Sequence, residues 1–312
     1  MPIIVYCDGG LGNRIRGLVN ALYWLDPGTF EICWPINDWC GASFLDIFQK
    51  LASTKIVEYS FADIRKLLRQ NKNSILLSHV NQFDISPDQF KPISSLFKPG
   101  SYVKRKAQSS LIILYLVQVH PLVSLRVYRE MLLMLKPSNK VSFEYQSFIS
   151  RMGWYPGKFC GFHARLTDSG NNPKTYYRML TRLLSDNNTV FLSSDSPDAI
   201  LQIIGKHSSL TYRKHVVLPE KKVSDLNWVA AVSDTDGRIF NYNIHRSKES
   251  TIDAMIDLMT LASSRIYPSN DSSFLQVALV YGYSLQSYSV KLFFLKQRLK
   301  DMLKYLMFRA CN

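Results

Sequence analysis

Residues 158–197 read KFCGFHARLTDSGNNPKTYYRMLTRLLSDNNTVFLSSDSP. Lys158 to Arg165 reads as a short strand that runs into a turn, and Pro173 suits the first turn of a helix through Tyr176, Met179, Leu180 and Leu183. Thr189 to Ser194 is the next strand, and Ser196-Pro197 opens a further helix that Gly205 terminates. A strand, helix, strand, helix succession predicts a mostly parallel sheet covered on both faces.

The same unit recurs on either side. Downstream, after an irregular stretch, Ile252, Met255, Ile256 and Met259 mark a helix, Arg265 to Pro268 a short strand, and Ser272 to Tyr281 another helix. Upstream, residues 3 to 7 form a β-branched strand, Gly9, Gly10 and Gly12 make a tight turn, and Ile15, Leu18, Val19 and Leu22 recur at helical spacing. Short strands are expected at Lys55 to Tyr59 and Ser74 to His79, with a helix from Phe61 to Arg69 between them. From Ser110 to Met134 the pattern reads as helical, ended by Pro137, and Phe143 to Met152 as a further helix. The fold class expected is therefore α/β, with two domains: 1–152, and 153–312 after a boundary near Gly153 to Lys158. A length of 312 residues agrees with two domains at about 150 residues each.

Composition narrows the classes. With 46% hydrophobic and 20% charged residues the chain carries enough apolar material to offset its ordering entropy, which excludes wholesale disorder. Five cysteines, with no C-x-x-C pair and no suitably spaced histidines, argue against a disulfide framework or a structural zinc. No run approaches about 18 apolar residues, and the amino terminus lacks the basic lead of a signal peptide, so a cytosolic or peripheral-membrane location is expected. The net charge of +14 draws nucleic acid, anionic lipid or phosphate-bearing small molecules. No helix-turn-helix, zinc or aromatic RNA-binding signature is present, so nucleic acid is not the expected partner.

In open parallel sheets, ligands bind beyond the carboxyl ends of the strands. Four strand-to-helix turns are candidates. At Gly9-Gly10-Leu11-Gly12-Asn13-Arg14, glycines let backbone approach a ligand, and the helix amino terminus favours an anion; the alternative is a tight turn with no ligand. In His163-Ala164-Arg165-Leu166-Thr167-Asp168, the strand period places His163 and Arg165 on one face, and Arg165 offers a planar fork of donors to a diphosphate. The alternative is a buried histidine with an Arg165 to Asp168 ion pair. At Ser193-Ser194-Asp195-Ser196-Pro197, Ser196 is expected to cap the following helix. At Ser269-Asn270-Asp271-Ser272-Ser273-Phe274, the amides of Ser272 and Ser273 suit phosphate, unless Asp271 serves only as an N-cap.

Two further features have plainer readings. Asp234-Thr235-Asp236 has the spacing of a divalent-cation site, but Gly237 follows directly, and between strand-like segments Asp236-Gly237 signals a hairpin turn. No metal is therefore expected. Lys291 to Arg309 is amphipathic, with Leu292, Leu295, Leu299, Met302 and Leu306 on one stripe and basic residues elsewhere; it reads as a docked terminal helix, with a membrane-surface helix as the alternative.

The order of these turns resembles the metal-independent fucosyltransferase superfamily, which includes α1,2, α1,6, protein O-fucosyl and rhizobial nodulation enzymes. Gly9 to Arg14 looks like its G-G-L-G-N-[QR] loop, and His163 to Asp168 like its H-x-R-x-x-D motif, which in the family contacts the pyrophosphate of GDP-fucose. Phe191 to Pro197 matches its strand-end motif, Glu249 to Leu258 its helix with an internal acid at Asp257, and Ser269 to Phe274 its serine-rich turn. The resemblance implies two Rossmann-like domains facing across a cleft in the glycosyltransferase B arrangement, with 1–152 on the acceptor side and 153–312 holding the donor. It implies donor contacts from Gly10, Gly12, Asn13, Arg14, His163, Arg165, Asp195, Asp257, Ser272 and Ser273, and an inverting single displacement with no metal cofactor. The expected partners are a nucleotide-sugar donor and a glycan acceptor.

The chain also departs from the pattern. Leu166 stands where many α1,2 and α1,6 enzymes carry a second arginine, which nodulation-type relatives also lack, and Ser169 to Pro173 offers no carboxylate where α1,6 enzymes place a base. Asp168 and Asp8 are the remaining candidates for the base, beside Arg165 for the leaving group. The expected activity is fucosyl transfer from GDP-fucose; a different nucleotide sugar on the same fold, or a noncatalytic anion- or nucleic-acid-binding protein, are the alternatives.

Overall fold

The computed structural model describes residues 2–79, 81–96, 98–121, 123–166, 173–186, 188–205, 207–234 and 238–310. The chain divides into two compact units that are not consecutive halves. Unit 1 comprises 1–36, 43–136 and 295–312, and unit 2 comprises 37–42 and 137–294. The main crossover thus falls at Lys136–Pro137, against an expected boundary at 152/153.

Unit 1 contains β1 (Ile3–Tyr6), α1 (Leu11–Trp24), β2 (Glu31–Cys33), α2 (Phe44–Ile47), β3 (Lys55–Val57), α3 (Phe61–Gln70), β4 (Ser74–Ser78), β5 (Phe90–Pro92), α4 (Pro99–Lys106), β6 (Leu111–Tyr115) and α5 (Leu125–Met134). Its six strands lie in the order β3-β2-β1-β6-β4-β5, and every pairing is parallel. The chain runs from β1 outward to β3 on one side, then crosses to β4 and β5 on the other, and β6 inserts between β1 and β4. The crevice between β1 and β6 is therefore the topological switch point, and the glycine loop after β1 opens onto it. On one face α3 packs Phe61, Ile64 and Leu68 against Ile4, Tyr6, Leu76 and Ile113. Each such fully buried side chain contributes about 2 kcal/mol of transfer free energy.

One expectation fails here. Leu111 to Tyr115, read as the start of a helix, is a central strand paired with both β1 and β4. A five-residue apolar run buried on both faces shows no alternation, so its period cannot separate strand from helix. Its neighbours in the sheet decide.

Unit 2 contains α6 (Asn139–Arg151), β7 (Cys160–Ala164), α7 (Pro173–Ser185), β8 (Val190–Ser194), α8 (Pro197–Ile204), β9 (Leu210–Tyr212), β10 (Val232–Ser233), β11 (Ile239–Phe240), α9 (Lys248–Ala262), β12 (Arg265–Tyr267), α10 (Ser273–Tyr281) and the start of α11 (Tyr288–Ala310), which ends in unit 1. The main sheet runs β12-β7-β8-β9, all parallel, with its switch point between β7 and β12. Cys160, Phe162 and Ala164 point to the α7 side, against Tyr176, Leu180 and Leu183. The intervening Gly161 faces Leu261 and Ser264 at the end of α9, as the two-residue strand period requires. His163, two residues on, shares that second face and packs on Phe274 of α10.

β10 and β11 pair antiparallel, in keeping with the hairpin reading of the sequence, and the turn itself, Thr235 to Gly237, lies outside the described residues. Cys7, Cys33, Cys40 and Cys160 are buried free thiols. Among the described residues no helix is long and apolar enough to cross a membrane.

The terminal helix also departs from expectation. Of the stripe expected to dock, Leu292, Leu295, Leu299 and Leu306 are 39–53% exposed and Met302 is half-buried. The helix instead buries Val290 and Phe294, and Arg298 donates to the carbonyls of His120, Pro121 and Val123 at 3.3, 3.4 and 2.5 Å.

Candidate functional site

At the switch point of unit 2, three connections meet at the carboxyl edge of the sheet. The His163 carbonyl on β7 accepts the Ser269 hydroxyl at 2.5 Å and the Asn270 side-chain amide at 2.9 Å, which ties the loop after β12 to the end of β7. The His163 ring lies 4.9 Å from that of Phe274, and burial pushes its imidazole down to about 4, so it is neutral at neutral pH. Arg165 follows immediately, half-buried, with its carbonyl accepting from the Tyr176 hydroxyl. Asp195, just after β8, accepts the Leu166 amide at 2.8 Å and so fixes the turn that carries Arg165.

The third connection starts α10. Ser272 is its N-cap, accepting the Leu275 amide, while its own amide donates to the Asn270 side chain. The alternative, Asp271 as the N-cap, does not hold, since the cap is Ser272. Likewise, Ser196 begins α8 without a side-chain cap; its amide instead meets the Ser194 hydroxyl. The structure therefore brings His163, Arg165, Asp195, Ser272 and Ser273 to one edge of the sheet, where a turn that carries an arginine and a helix amino terminus suit an anion. Asp168 lies outside the described residues.

Asp257 has a different environment. It is buried on α9 and receives Arg213 Nε at 3.1 Å and His215 Nε2 at 3.0 Å, while Asp253, one turn earlier, holds Arg213 Nη1 at 2.6 Å and the Val216 amide at 2.7 Å. Burial pulls His215 down and pushes Asp257 up. Their pairing overrides it, so His215 ends raised and Asp257, facing both His215 and Arg213, ends lowered. Arg213, His215 and Asp253 were missed in the sequence because β9 fell in a stretch read as irregular. The available signal was Asp253 and Asp257 at i, i+4 on one helix face. Beside this network, a cavity of about 500 Å³ opens between α6, α9 and the end of β9, lined by Phe148, Ile252 and Ile256 with Arg151, Lys214 and Glu249.

A second cluster was also missed. Residues 37–42, from the first part of the chain, dock onto unit 2: Trp39 packs edge-on against Phe240 and Tyr242, and the Gly41 amide meets Thr251. They bring Asp38 to His245 Nδ1 at 2.8 Å and Lys222 Nζ at 2.5 Å. Burial opposes ionisation of Asp38, but those two partners hold it below the usual carboxylate range. Asp38 holds the half-exposed His245 at Nδ1, which leaves Nε2 directed away from the carboxylate. Such an arrangement takes a proton from a hydroxyl.

In unit 1, Gly9 adopts φ +80°, which favours glycine, and Gly10 is the N-cap of α1, with open space where a Cβ would stand. Gly12 and Asn13 lie in the first turn of α1, and Asn13 accepts from Arg16. Arg14, named among the implied donor contacts, is fully buried: it donates to the Gly9 and Pro35 carbonyls at 2.7 and 2.6 Å, stacks on Trp34, and lies 3.9 Å from the buried Asp8. It holds the glycine loop from within. Asp234 is committed to the Arg238 amide and guanidinium.

No family model matches the sequence, and no curated protein matches it. Solved structures do resemble it. The crystal structure of NodZ α1,6-fucosyltransferase co-crystallized with GDP aligns with a TM-score of 0.50 over 88% of this chain and 90% of that one, at 15% identity. The fucosyltransferase NodZ from Bradyrhizobium aligns with a TM-score of 0.50 over 88% and 91%, at 14% identity. POFUT1 in complex with GDP aligns over 90% and 95% at 11% identity, with a TM-score of 0.45, too loose a superposition to add to these. At such identities the likeness establishes a shared fold, two α/β units with parallel sheets.

Proposed function

We propose that this protein is a glycosyltransferase that moves fucose from GDP-fucose to a glycan hydroxyl, inverting the sugar carbon in one displacement without a metal. The observation that carries the reading is the end of β7, just before Arg165, tied through Ser269 and Asn270 to the loop that opens α10 at the β7/β12 switch point, in a chain with the fold of a fucosyltransferase that has been crystallised with GDP. As the bond from C1 to the diphosphate oxygen breaks, the diphosphate leaves with the electron pair. Arg165 and the Ser272 and Ser273 turn stabilise the charge that develops there.

The acceptor oxygen forms the new bond to C1 and loses its proton. We assign that proton to His245 Nε2, with Asp38 as the positioning residue. Because α9 leads through a two-residue link into a strand of the parallel sheet, its amino terminus stands at the carboxyl edge. Arg213, one residue past β9, meets Asp253 in the first half of α9, in agreement with this placement. His245, two residues before the Ser247 cap, lies on the same side of the sheet as Arg165.

Calorimetric titration with GDP, and with ADP and UDP as controls in chelator, is expected to show binding selective for GDP; binding to none of the three overturns the donor class. Arg165→Ala should lower turnover about 30-fold or more, roughly 2 kcal/mol, with the fold intact. His245→Gln should lower acceptor transfer about 100-fold while leaving GDP binding and the fold intact; a variant with unchanged transfer rejects the base assignment. Transfer from another nucleotide sugar but not GDP-fucose would keep the fold and replace the donor. Loss of activity in chelator, rescued by Mn²⁺, would end the metal-free reading.

A further inference from the structure

Helix α11 has two faces of opposite character. One carries Val290 and Phe294, both buried, and Arg298, whose guanidinium caps three carbonyls. On the other, Leu292, Leu295, Leu299, Leu303 and Leu306 are 40%, 39%, 53%, 57% and 47% exposed. Their spacing of three and four residues keeps them on one stripe, about 21 Å long from the first leucine to the last. Single exposed leucines are ordinary, whereas five in an unbroken row form a contact surface. At 100° per residue, the exposed Lys296 and Lys300 border this stripe on one side. Asp301, the one acidic residue of the helix, lies toward the Arg16 and Arg298 side.

We propose that this stripe is a docking surface for an anionic lipid membrane, with α11 lying in the plane of the interface, its leucines entering the boundary between headgroups and acyl chains and its lysines meeting lipid phosphates. Charge decides between occupants. A second copy of the helix would bring Lys296 and Lys300 against an identical basic border with no acidic row to answer it, whereas an anionic headgroup layer complements both these lysines and the net charge of +14. The stripe is too polar at its margins to be a span and has the form of an interfacial helix.

Flotation of the full chain with vesicles tests this without reference to catalysis. Phosphatidylcholine vesicles with one third phosphatidylglycerol are expected to carry the protein, and pure phosphatidylcholine vesicles to carry about tenfold less. Leu295→Glu/Leu299→Glu should abolish flotation with an unchanged thermal melt. Lys296→Glu/Lys300→Glu should weaken it about tenfold and remove most of its salt dependence. Failure of the parent protein to float with anionic vesicles overturns the proposal, as does equal flotation of the leucine variant. Self-association that the leucine variant abolishes, without flotation, would give the stripe to a second copy and also overturn it.

Discussion

At the scale of single residues, the same side-chain chemistry has opposite uses in the two units. Arg14 and Arg165 both come after a strand, yet Arg14 is fully buried against the Gly9 and Pro35 carbonyls, while Arg165 is only half-buried at the sheet edge. Arg213 is a third case. Its side chain is 10% exposed, and those of Asp253 and Asp257 are 5% and 3% exposed. Removing the cation would leave Asp253 with only the Val216 amide and Asp257 with only His215 among the partners named, in a low-dielectric setting, so Arg213→Gln is expected to cost about 3 kcal/mol in urea unfolding. A loss under about 1 kcal/mol, the range of an exposed pair, would show that water reaches the network.

At the scale of elements, the strap of residues 37–42 joins distant parts of unit 2. Gly41 makes this possible: a Cβ there would stand 2.4 Å from the Arg246 carbonyl oxygen and 2.8 Å from the Lys248 nitrogen, and backbone atoms at the start of α9 cannot yield as a side-chain tip can. Gly41→Ala should therefore cost about 1–3 kcal/mol by overpacking and speed hydrogen exchange across the strap. Unchanged exchange at Trp39 and Cys40 would mean that the strap holds without this close approach. Legibility from sequence also divides by element. The strands and helices of residues 158–205 follow from spacing and turn residues, because local pattern and tertiary demand agree there. Leu111 to Tyr115 and β9 do not: the first is an apolar run with no alternation and the second lies in a stretch with no clear period, so the strands they pair with decide.

For the whole molecule, buried histidines set the pH response. His163 and His120 are both pushed down to about 4, His163 by burial chiefly and His120 by burial with His79 and Arg298 beside it. Between about pH 6.5 and 4 the unfolded chain takes up protons that these folded imidazoles refuse, so stability falls with pH across that window, by about 3 kcal/mol for each at full effect. His215 works in the opposite sense. Raised in the fold, it contributes stability that is fully present below its unfolded value and is lost as pH rises through its folded value. Asp257, lowered, contributes above its unfolded value and loses that as acid protonates it. Urea unfolding should accordingly show greatest stability near neutral pH, with an acid limb that His120→Phe makes shallower. A parent protein equally stable at pH 7 and pH 4.5 would contradict the burial of both histidines.

The sequence by itself determined the α/β alternation, the parallel sheets and the strand-to-helix turns where His163, Arg165, Asp195, Ser272 and Ser273 gather, since each depends on residues a few positions apart. Only the tertiary structure decided that Arg14 turns inward, that Asp257 is locked to Arg213 and His215, that α11 shows its leucines to solvent, and that Asp38 meets His245 across 207 positions. Those outcomes rest on which buried charge finds a partner and which face finds a neighbour, and a linear pattern carries no record of distances through space.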